Sequence, residues 1–212
     1  DNVSGAWDAY LAVASADWST SSVLDTAVVA GNTNPKNCRA TSGRVEVCNN
    51  RYGNNGWLGV ASIWVSGDHI TKGTVKMNDT YFNTAYYNTP AWRQLVMCQE
   101  IGHTLGLDHQ DEDFYNANLG TCMDYTSDPA SNQHPNAHDY DQLDAIYAHL
   151  DAFTSAFSKK FGAAAATSDD IDTSDVREWG KTVRKSQDGR SSLHEKDLSK
   201  GNKVFTFVIW AN

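Results

Sequence analysis

The sequence has no apolar run long enough for a membrane-spanning helix, and it is poor in basic residues. Lys and Arg total 17 against 26 Asp and Glu, for a formal net charge of −9. This balance argues against nucleic acid and anionic membranes as partners. No Cys-x-x-Cys pair occurs among the four cysteines, so a separate cysteine-ligated metal cluster is not indicated. The 212 residues fit one domain, with or without an appendage, and we expect a monomer.

The chain begins at Asp1, with neither an initiator Met nor a signal segment, and we interpret it as a mature or trimmed product. It is rich in Asn, Ser, Thr, Gly, Trp and Tyr and sparse in Lys. This composition is typical of a secreted protein with a polar, hydrogen-bonded surface. We therefore expect an extracellular location.

The strongest functional pattern lies near the middle of the chain. Gln99 and His103 are four residues apart, so on a helix they share one face with Cβ atoms about 5–6 Å apart. That separation lets two side chains reach one metal ion. Glu100 follows the first of these positions and can reach a metal-bound water without binding the metal. Gly106 can adopt the positive φ of a sharp turn, after which His109 returns towards the same metal.

These residues match the zinc-protease pattern H-E-x-x-H-x-x-G-x-x-H at every specified position except the first, where Gln99 stands. Over roughly its first 150 residues the chain resembles the metzincin zinc endopeptidases, in particular matrixin-like and related secreted bacterial members. Met123, fourteen residues after His109, matches the Met-containing turn that metzincins have beneath the metal. Tyr125 matches a tyrosine that some members place near the metal to stabilise the transition state. An ordinary buried tyrosine is the alternative for that residue.

The resemblance implies a secreted endopeptidase that hydrolyses internal peptide bonds of proteins. His103, His109 and the residue at position 99 would hold Zn²⁺, which polarises the peptide carbonyl and acidifies a bound water. Glu100 would take the proton of that water and return it to the leaving amine. Tyr125 would hydrogen-bond the oxyanion.

Gln99 is the one departure from the ligand set. A neutral amide oxygen is a poorer zinc ligand than an imidazole nitrogen, so we expect reduced zinc affinity and an impaired or inactive protease. One explanation is an engineered or incidental substitution in an active parent. The other is a natural pseudoprotease that kept the fold and acts as a protein-binding module. We favour the first, because the other motif residues are all in place.

The four cysteines allow three pairings, with free buried thiols as a further alternative. Cys38 and Cys48 flank a short loop and could close a hairpin-like excursion. Cys98 directly precedes the first ligand position, and Cys122 directly precedes Met123. Because the resemblance places both flanks at one metal site, it implies a Cys98–Cys122 bridge and leaves Cys38–Cys48 as the second.

The pattern of elements predicts an α+β fold with a twisted mixed sheet, as in metzincins. Helices are predicted over 5–20, from Thr89 to about Leu105 and over 139–153, and strands over 23–30, 43–48, 57–65 and 70–78. The resemblance implies that strand 57–65 is the edge strand above the cleft. An extended substrate would then pair, as an added strand, with Gly59, Val60, Ala61 and Ser62.

The predicted domain organisation is a catalytic domain followed by a linker and a β-rich tail. The ranges are 1–155 for the catalytic domain, divided near residue 108 into upper and lower halves, 156–175 for the linker and 176–212 for the tail. The last strand of the tail, residues 203–210, is apolar on both faces and needs cover. A segment this short cannot form its own core, so we expect it to dock on the catalytic domain by extending the sheet.

Two further groups stand beside the motif. Asp111, Glu112 and Asp113 follow the third ligand position as either a solvated acidic turn or a Ca²⁺ site. His134 and His138 are four residues apart, but a proline lies between them, and we interpret them as loop histidines.

Overall fold

The computed structural model describes residues 1–149 and 171–211, which form an α+β fold with one mixed sheet. The helices are α1 (Asp8–Trp18), α2 (Asp79–Phe82), α3 (Pro90–Thr104) and α4 (Ala137–Ile146). The strands are β1 (Val45–Asn50), β2 (Trp57–Ser66), β3 (His69–Asn78), β4 (Lys181–Lys185), β5 (Ser191–Asp197) and β6 (Lys203–Trp210). Short 3-10 turns lie at Pro129–Ser131, Val176–Glu178 and Ser199–Gly201. The predicted α+β class is confirmed.

The strands lie side by side in the order β1-β3-β2-β6-β5-β4. β1 pairs with β3 in parallel, and every other neighbouring pair is antiparallel. β1 and β4 are therefore the edges of the sheet, and β2 and β6 lie at its centre. The three strands of the C-terminal tail thus extend the sheet that the N-terminal part of the chain begins.

The predicted edge position of strand 57–65 is wrong in this structure. β6 pairs with β2 from Trp57 opposite Trp210 to Val65 opposite Lys203. β3 pairs with the other side of β2. The residues predicted to pair with substrate therefore already have a strand on each side, and they are Gly59, Val60, Ala61 and Ser62. The error arises because a strand's neighbours depend on distant sequence, which its own pattern does not encode.

Residues 23–30, predicted as a strand, are irregular chain held against α1. Thr26 donates its hydroxyl to the Ser15 carbonyl at 2.9 Å, and its amide donates to the Ser19 hydroxyl at 2.8 Å. These side-chain bonds take the place of a strand ladder. Val28 and Val29 remain about half exposed, at 46% and 54%. Apolar residues alone did not make this segment a strand, because none of the strands in residues 1–149 and 171–211 pairs with it.

Helix α3 begins where its local sequence predicted. The Thr89 hydroxyl accepts the backbone N–H of Trp92 at 3.2 Å, and Pro90 is the first helical residue. The helix ends before Gly106, whose φ of +92° is strained for any residue with a Cβ. The chain therefore turns sharply here and can bring the following residues back alongside the helix.

The core surrounds α3, which is buried from residue 92 to 104. Trp18 of α1 donates its indole N–H to the Cys98 carbonyl at 3.1 Å. Gly102 allows two large side chains to approach the helix, because a Cβ there would lie 2.6 Å from the Met123 sulfur and 2.7 Å from the Trp18 ring. The helix thus packs directly on the turn that holds Met123.

Both predicted disulfides are confirmed. Cys38 bonds to Cys48 with an S–S distance of 2.01 Å, and Cys98 bonds to Cys122 at 1.98 Å. The first joins the loop before β1 to β1 itself. The second joins α3 to the Met123 turn. No free cysteine remains in the described chain, where all four are found.

The tail strand β6 is covered on both faces, as its apolar composition requires. Phe207 and Ile209 belong to the main core with α3. Val208 points the other way and packs with Trp57, Val60 and Trp179 in a second cluster. The Trp179 indole N–H donates to the Thr173 carbonyl at 3.1 Å. The residues just before β4 therefore close the outer face of the sheet.

The C-terminal helix predicted over 139–153 is present as α4 up to Ile146. The rest of that prediction beyond residue 149, and most of the predicted linker, lie outside the described residues. In residues 1–149 and 171–211, no helix has the length and apolar character to cross a membrane.

Candidate active site

The turn after α3 brings the two motif histidines together. The Nε2 atoms of His103 and His109 are 3.0 Å apart, with the rings edge to face. His103 Nδ1 lies 2.9 Å from the Leu107 carbonyl, which can only accept a hydrogen, so Nδ1 carries the proton. Burial, reinforced by His109, lowers the pKa of His103 well below its usual value. His103 is therefore a neutral imidazole with its Nε2 lone pair directed at His109, the form that binds metals.

Gln99 lies fully buried one turn before His103. Its Nε2 donates to the Cys122 carbonyl at 2.9 Å, which ties the first ligand position to the Met123 turn. Its Oε1 is buried with no hydrogen-bond partner in the described structure. A buried, unpartnered amide oxygen is costly, and at this position it is an available donor for a cation.

Glu100 lies against β2 rather than solvent. Gly59 makes room for it, because a Cβ at that position would collide with the Glu100 carboxylate. One carboxylate oxygen, Oε2, is buried without a partner in the described residues. Burial raises the pKa of Glu100 well above its usual value. A buried carboxyl group with a raised pKa is typical of residues that act in general acid–base catalysis.

The Met123 turn supplies the far wall of the site. Met123 is fully buried under Gly102, and the Tyr125 ring packs against His109 with centroids 4.5 Å apart. The Tyr125 hydroxyl lies 3.5 Å from the Val208 carbonyl, which accepts its hydrogen. Burial raises the pKa of Tyr125 well above its usual value, so its hydroxyl stays a hydrogen-bond donor.

The shape of this turn depends on Asp124, which the sequence analysis did not single out. Its Oδ2 accepts the backbone N–H of Leu119 and the side-chain amide of Asn132, both at 2.8 Å. Burial is the main reason that the pKa of Asp124 is raised. Its position between Met123 and Tyr125 was the only sequence indication of this role.

Two carboxylates and an arginine border His109. The Nδ1 atom of His109 lies 3.8 Å from Asp108 and 3.6 Å from Glu112. The three residues could together contact a metal ion, since their ligand atoms lie within 4.8 Å of one another. Arg184 of β4 meets both carboxylates, with a bidentate contact to Asp108 and 2.9 Å to Glu112. Arg184 could not be predicted from the sequence, because nothing local connects the tail to the motif.

Phe207 of β6 forms the roof of the site. Its ring stacks on His103 with centroids 4.3 Å apart and planes 8° apart. Under this roof the motif side chains are almost fully buried: Gln99 is 0%, Glu100 and His103 are 1%, and Tyr125 is 2% exposed. The His109 side chain is 2% exposed. Sequence reasoning predicted a docked tail and did not predict that it lies over the histidines.

The other candidate residues have contacts of their own. His134 is exposed and pairs with Asp17 at 2.7 Å. Asp111 and Asp113 accept backbone N–H groups within their own turn, from Asp113 and Tyr115. His138 and His109 both line one pocket of about 160 Å³. The Ca²⁺ site considered at Asp111, Glu112 and Asp113 stays a prediction.

The donor set fits the zinc ion that the motif implies, with one weak ligand. Two nitrogens bound to one tetrahedral zinc at about 2.0–2.1 Å lie about 3.3 Å apart, close to the 3.0 Å between the two Nε2 atoms. The unpartnered Gln99 Oε1 is the third available donor. An amide oxygen binds zinc less well than a third imidazole would.

Comparison with protein-family models, curated proteins and solved structures gives no match.

Proposed function

We propose that this chain is a metzincin-type zinc endopeptidase whose activity is impaired by Gln99. The observation that carries the proposal is the 3.0 Å approach of the His103 and His109 Nε2 atoms. Two imidazoles whose Nε2 atoms meet, with a buried carboxyl group one helical turn away at Glu100, form the core of a hydrolytic zinc site. The third ligand position is the only part that departs from that arrangement.

Each site residue has a defined part in peptide hydrolysis. His103, His109 and Gln99 would hold the zinc, which when bound acts as a Lewis acid and lowers the pKa of water. Glu100 would accept a proton from the attacking water and donate it to the leaving amine, and burial, which raises its pKa, favours holding that proton in between. Tyr125 keeps its proton and donates to the oxyanion.

An extracellular location belongs to the same proposal. Both disulfides in the described chain are closed, which suits an oxidising compartment. The acidic charge of −9 suits a freely diffusing protein better than one held on an anionic membrane. Protein or peptide chains in extended form are the expected substrates.

A second candidate is a non-catalytic protein-binding module on the same fold. It is favoured by Gln99 and by the burial of every motif side chain beneath β6. This alternative needs no metal and no access to His103. It predicts that restoring the ligand set leaves the protein without proteolytic activity.

Restoring the histidine separates the two candidates. We would prepare Gln99→His together with Phe207→Ala, which removes the ring over His103, and assay cleavage of casein with and without a chelator. The matched control adds Glu100→Gln, which keeps the size of the side chain. We expect chelator-sensitive cleavage that falls by about 10²–10⁴-fold in the control, the usual contribution of a general base. A folded, zinc-loaded Gln99→His, Phe207→Ala protein that cleaves nothing would support the binding module instead.

A further inference from the structure

Strand β6 reaches both walls of the candidate site. It pairs antiparallel with β2, and Phe207 lies directly opposite Ala61. The Phe207 ring stacks on His103, and the carbonyl of the next residue, Val208, accepts the hydrogen of the Tyr125 hydroxyl. A single strand of the tail therefore contacts the histidine at the end of α3 and the tyrosine of the Met123 turn.

A second contact comes from β4. Arg184 forms ion pairs with Asp108 and Glu112, which lie on either side of His109 in sequence. Both carboxylates are partly exposed, at 45% and 28% of their side chains, so the arginine binds at the rim of the site. The tail thus holds the His109 loop by charge and covers His103 by stacking.

In this arrangement the histidine pair presents no surface to a peptide. Each motif side chain at the site is at most 2% exposed. Hydrolysis needs a peptide carbonyl beside the histidines and Glu100, and Phe207 fills the space over His103. The site as it stands is therefore closed to the substrates of the proposed function.

The cover joins the rest of the fold through one strand ladder and a set of side-chain contacts, among them Arg190 over Phe114 and Ser191 with Glu112. Among the described strands of the tail, only β6 pairs with a strand from the N-terminal part, namely β2. That ladder includes a buried hydroxyl pair, Ser62 and Thr206, at 3.0 Å, which water can satisfy after separation. The Cys98–Cys122 disulfide holds α3 to the Met123 turn independently of the tail. Separating that ladder together with these side-chain contacts would expose the histidines while the walls of the site stay joined.

We propose that the tail strands β4–β6 are an intramolecular inhibitor of the site. β6 takes the place of an extended peptide on β2, and Phe207 and Arg184 hold it over the two histidines. The site opens only when the β2–β6 ladder separates. This inference rests on the proposed endopeptidase function. It also specifies the substrate that replaces the tail: an extended peptide, antiparallel to β2, with a large apolar side chain at the position of Phe207.

Hydrogen exchange on the full chain, in chelator, tests the opening without any need for activity. The variants are Phe207→Ala and Arg184→Ala, with Phe207→Leu as a milder form in case the first fails to fold. Val183→Ala is the matched control, because Val183 neighbours Arg184 on β4 and is 44% exposed. We expect exchange in β2 and β6 to rise at least about tenfold in the test variants, with β1, β3 and α3 unchanged.

Chemical modification gives a second readout of the same opening. Diethyl pyrocarbonate labels accessible histidines, and mass mapping separates His103 and His109 from the exposed reference His134, whose side chain is 59% exposed. Labelling of the two site histidines should rise at least about tenfold in the test variants while labelling of His134 stays constant. The Val183→Ala protein should behave as the unmodified chain does.

Two outcomes would contradict the proposal that the tail inhibits the site. In one, β2 and β6 exchange only together with β3 and α3, so that the tail is a permanent part of the sheet. In the other, Phe207→Ala and Arg184→Ala change neither readout. An opened variant that carries Gln99→His and still cleaves nothing would count against the endopeptidase and leave the opening of the tail established. If a Gln99→His protein cleaves substrate while β2 stays paired with β6, the inhibitor proposal is wrong and the endopeptidase proposal stands.

Discussion

Phe207 lies flat on the imidazole of His103, with ring centroids 4.3 Å apart and planes 8° apart. The first residue belongs to the last strand of the chain and the second to the central helix. Their contact makes the C-terminal tail part of the candidate site. It also explains why the histidines are buried although the loop that carries His109 lies at the surface.

Tyr125→Phe should lower kcat with little effect on KM or on zinc content. The substitution keeps the ring that packs on His109 and removes only the hydroxyl, which donates to the Val208 carbonyl. In the Gln99→His, Phe207→Ala background we expect a loss of about 10²-fold or more, as for other oxyanion donors. Steady-state kinetics on a peptide substrate measures it. An unchanged kcat would make Tyr125 an ordinary core residue.

The burial of Lys76, a residue outside the candidate site, predicts that the stability of the fold depends on pH. It is fully buried, donates to Ser174 at 2.6 Å and lies 3.6 Å from Asp172. Burial lowers its pKa from 10.5 to about 8, against the opposing effect of Asp172. The folded protein therefore holds this proton less tightly than the unfolded chain does. Its charge destabilises the fold fully below pH 8, and that cost disappears as the pH rises from about 8 to 10.5.

Urea unfolding of the unmodified chain and of Lys76→Met over this pH range measures the effect. Relative to the variant, the chain with Lys76 should gain about 3 kcal/mol of unfolding free energy between pH 8 and 10.5. Lys72→Met on the same strand is the control for losing a lysine as such. A constant difference between Lys76 and Met across the range would contradict the prediction.

The Cys98–Cys122 bridge should stabilise the fold more than zinc does. It closes a loop with a sequence separation of 24, against 10 for Cys38–Cys48. In the chain-entropy model the longer loop contributes about 3 kcal/mol and the shorter one somewhat less. With Gln99 as a weak ligand, a chelator should lower the melting temperature less than replacing Cys98 and Cys122 by Ala. An equal or larger effect of the chelator would show that the metal holds the site together.

The sequence predicted best those features that depend on neighbouring residues. Thr89 and Pro90 define the start of α3, and the positive φ of Gly106 defines its end. The strands predicted over 57–65 and 70–78 lie within one residue of the observed bounds of β2 and β3. These features are encoded by capping, proline geometry and side-chain periodicity, which act over a few residues.

The features that the sequence could not predict depend on distant partners. Trp57 and Trp210 face each other across the β2–β6 ladder, and no local pattern records that pairing. The segment 23–30 pairs with none of the described strands, so its apolar residues stay outside the sheet. Arg184 reaches Asp108 only because β4 lies at the edge of the sheet that the tail extends. For the same reason the motif did not predict that Phe207 covers His103.

The most direct test of the central claim is zinc binding measured by titration calorimetry. It compares the unmodified chain, Gln99→His and His103→Ala at one pH after chelator treatment. We predict one zinc ion per chain, held at least about tenfold more tightly by Gln99→His than by the unmodified chain and not held by His103→Ala. Equal zinc binding by all three proteins would contradict the account, because the metal would then lie away from the histidine pair.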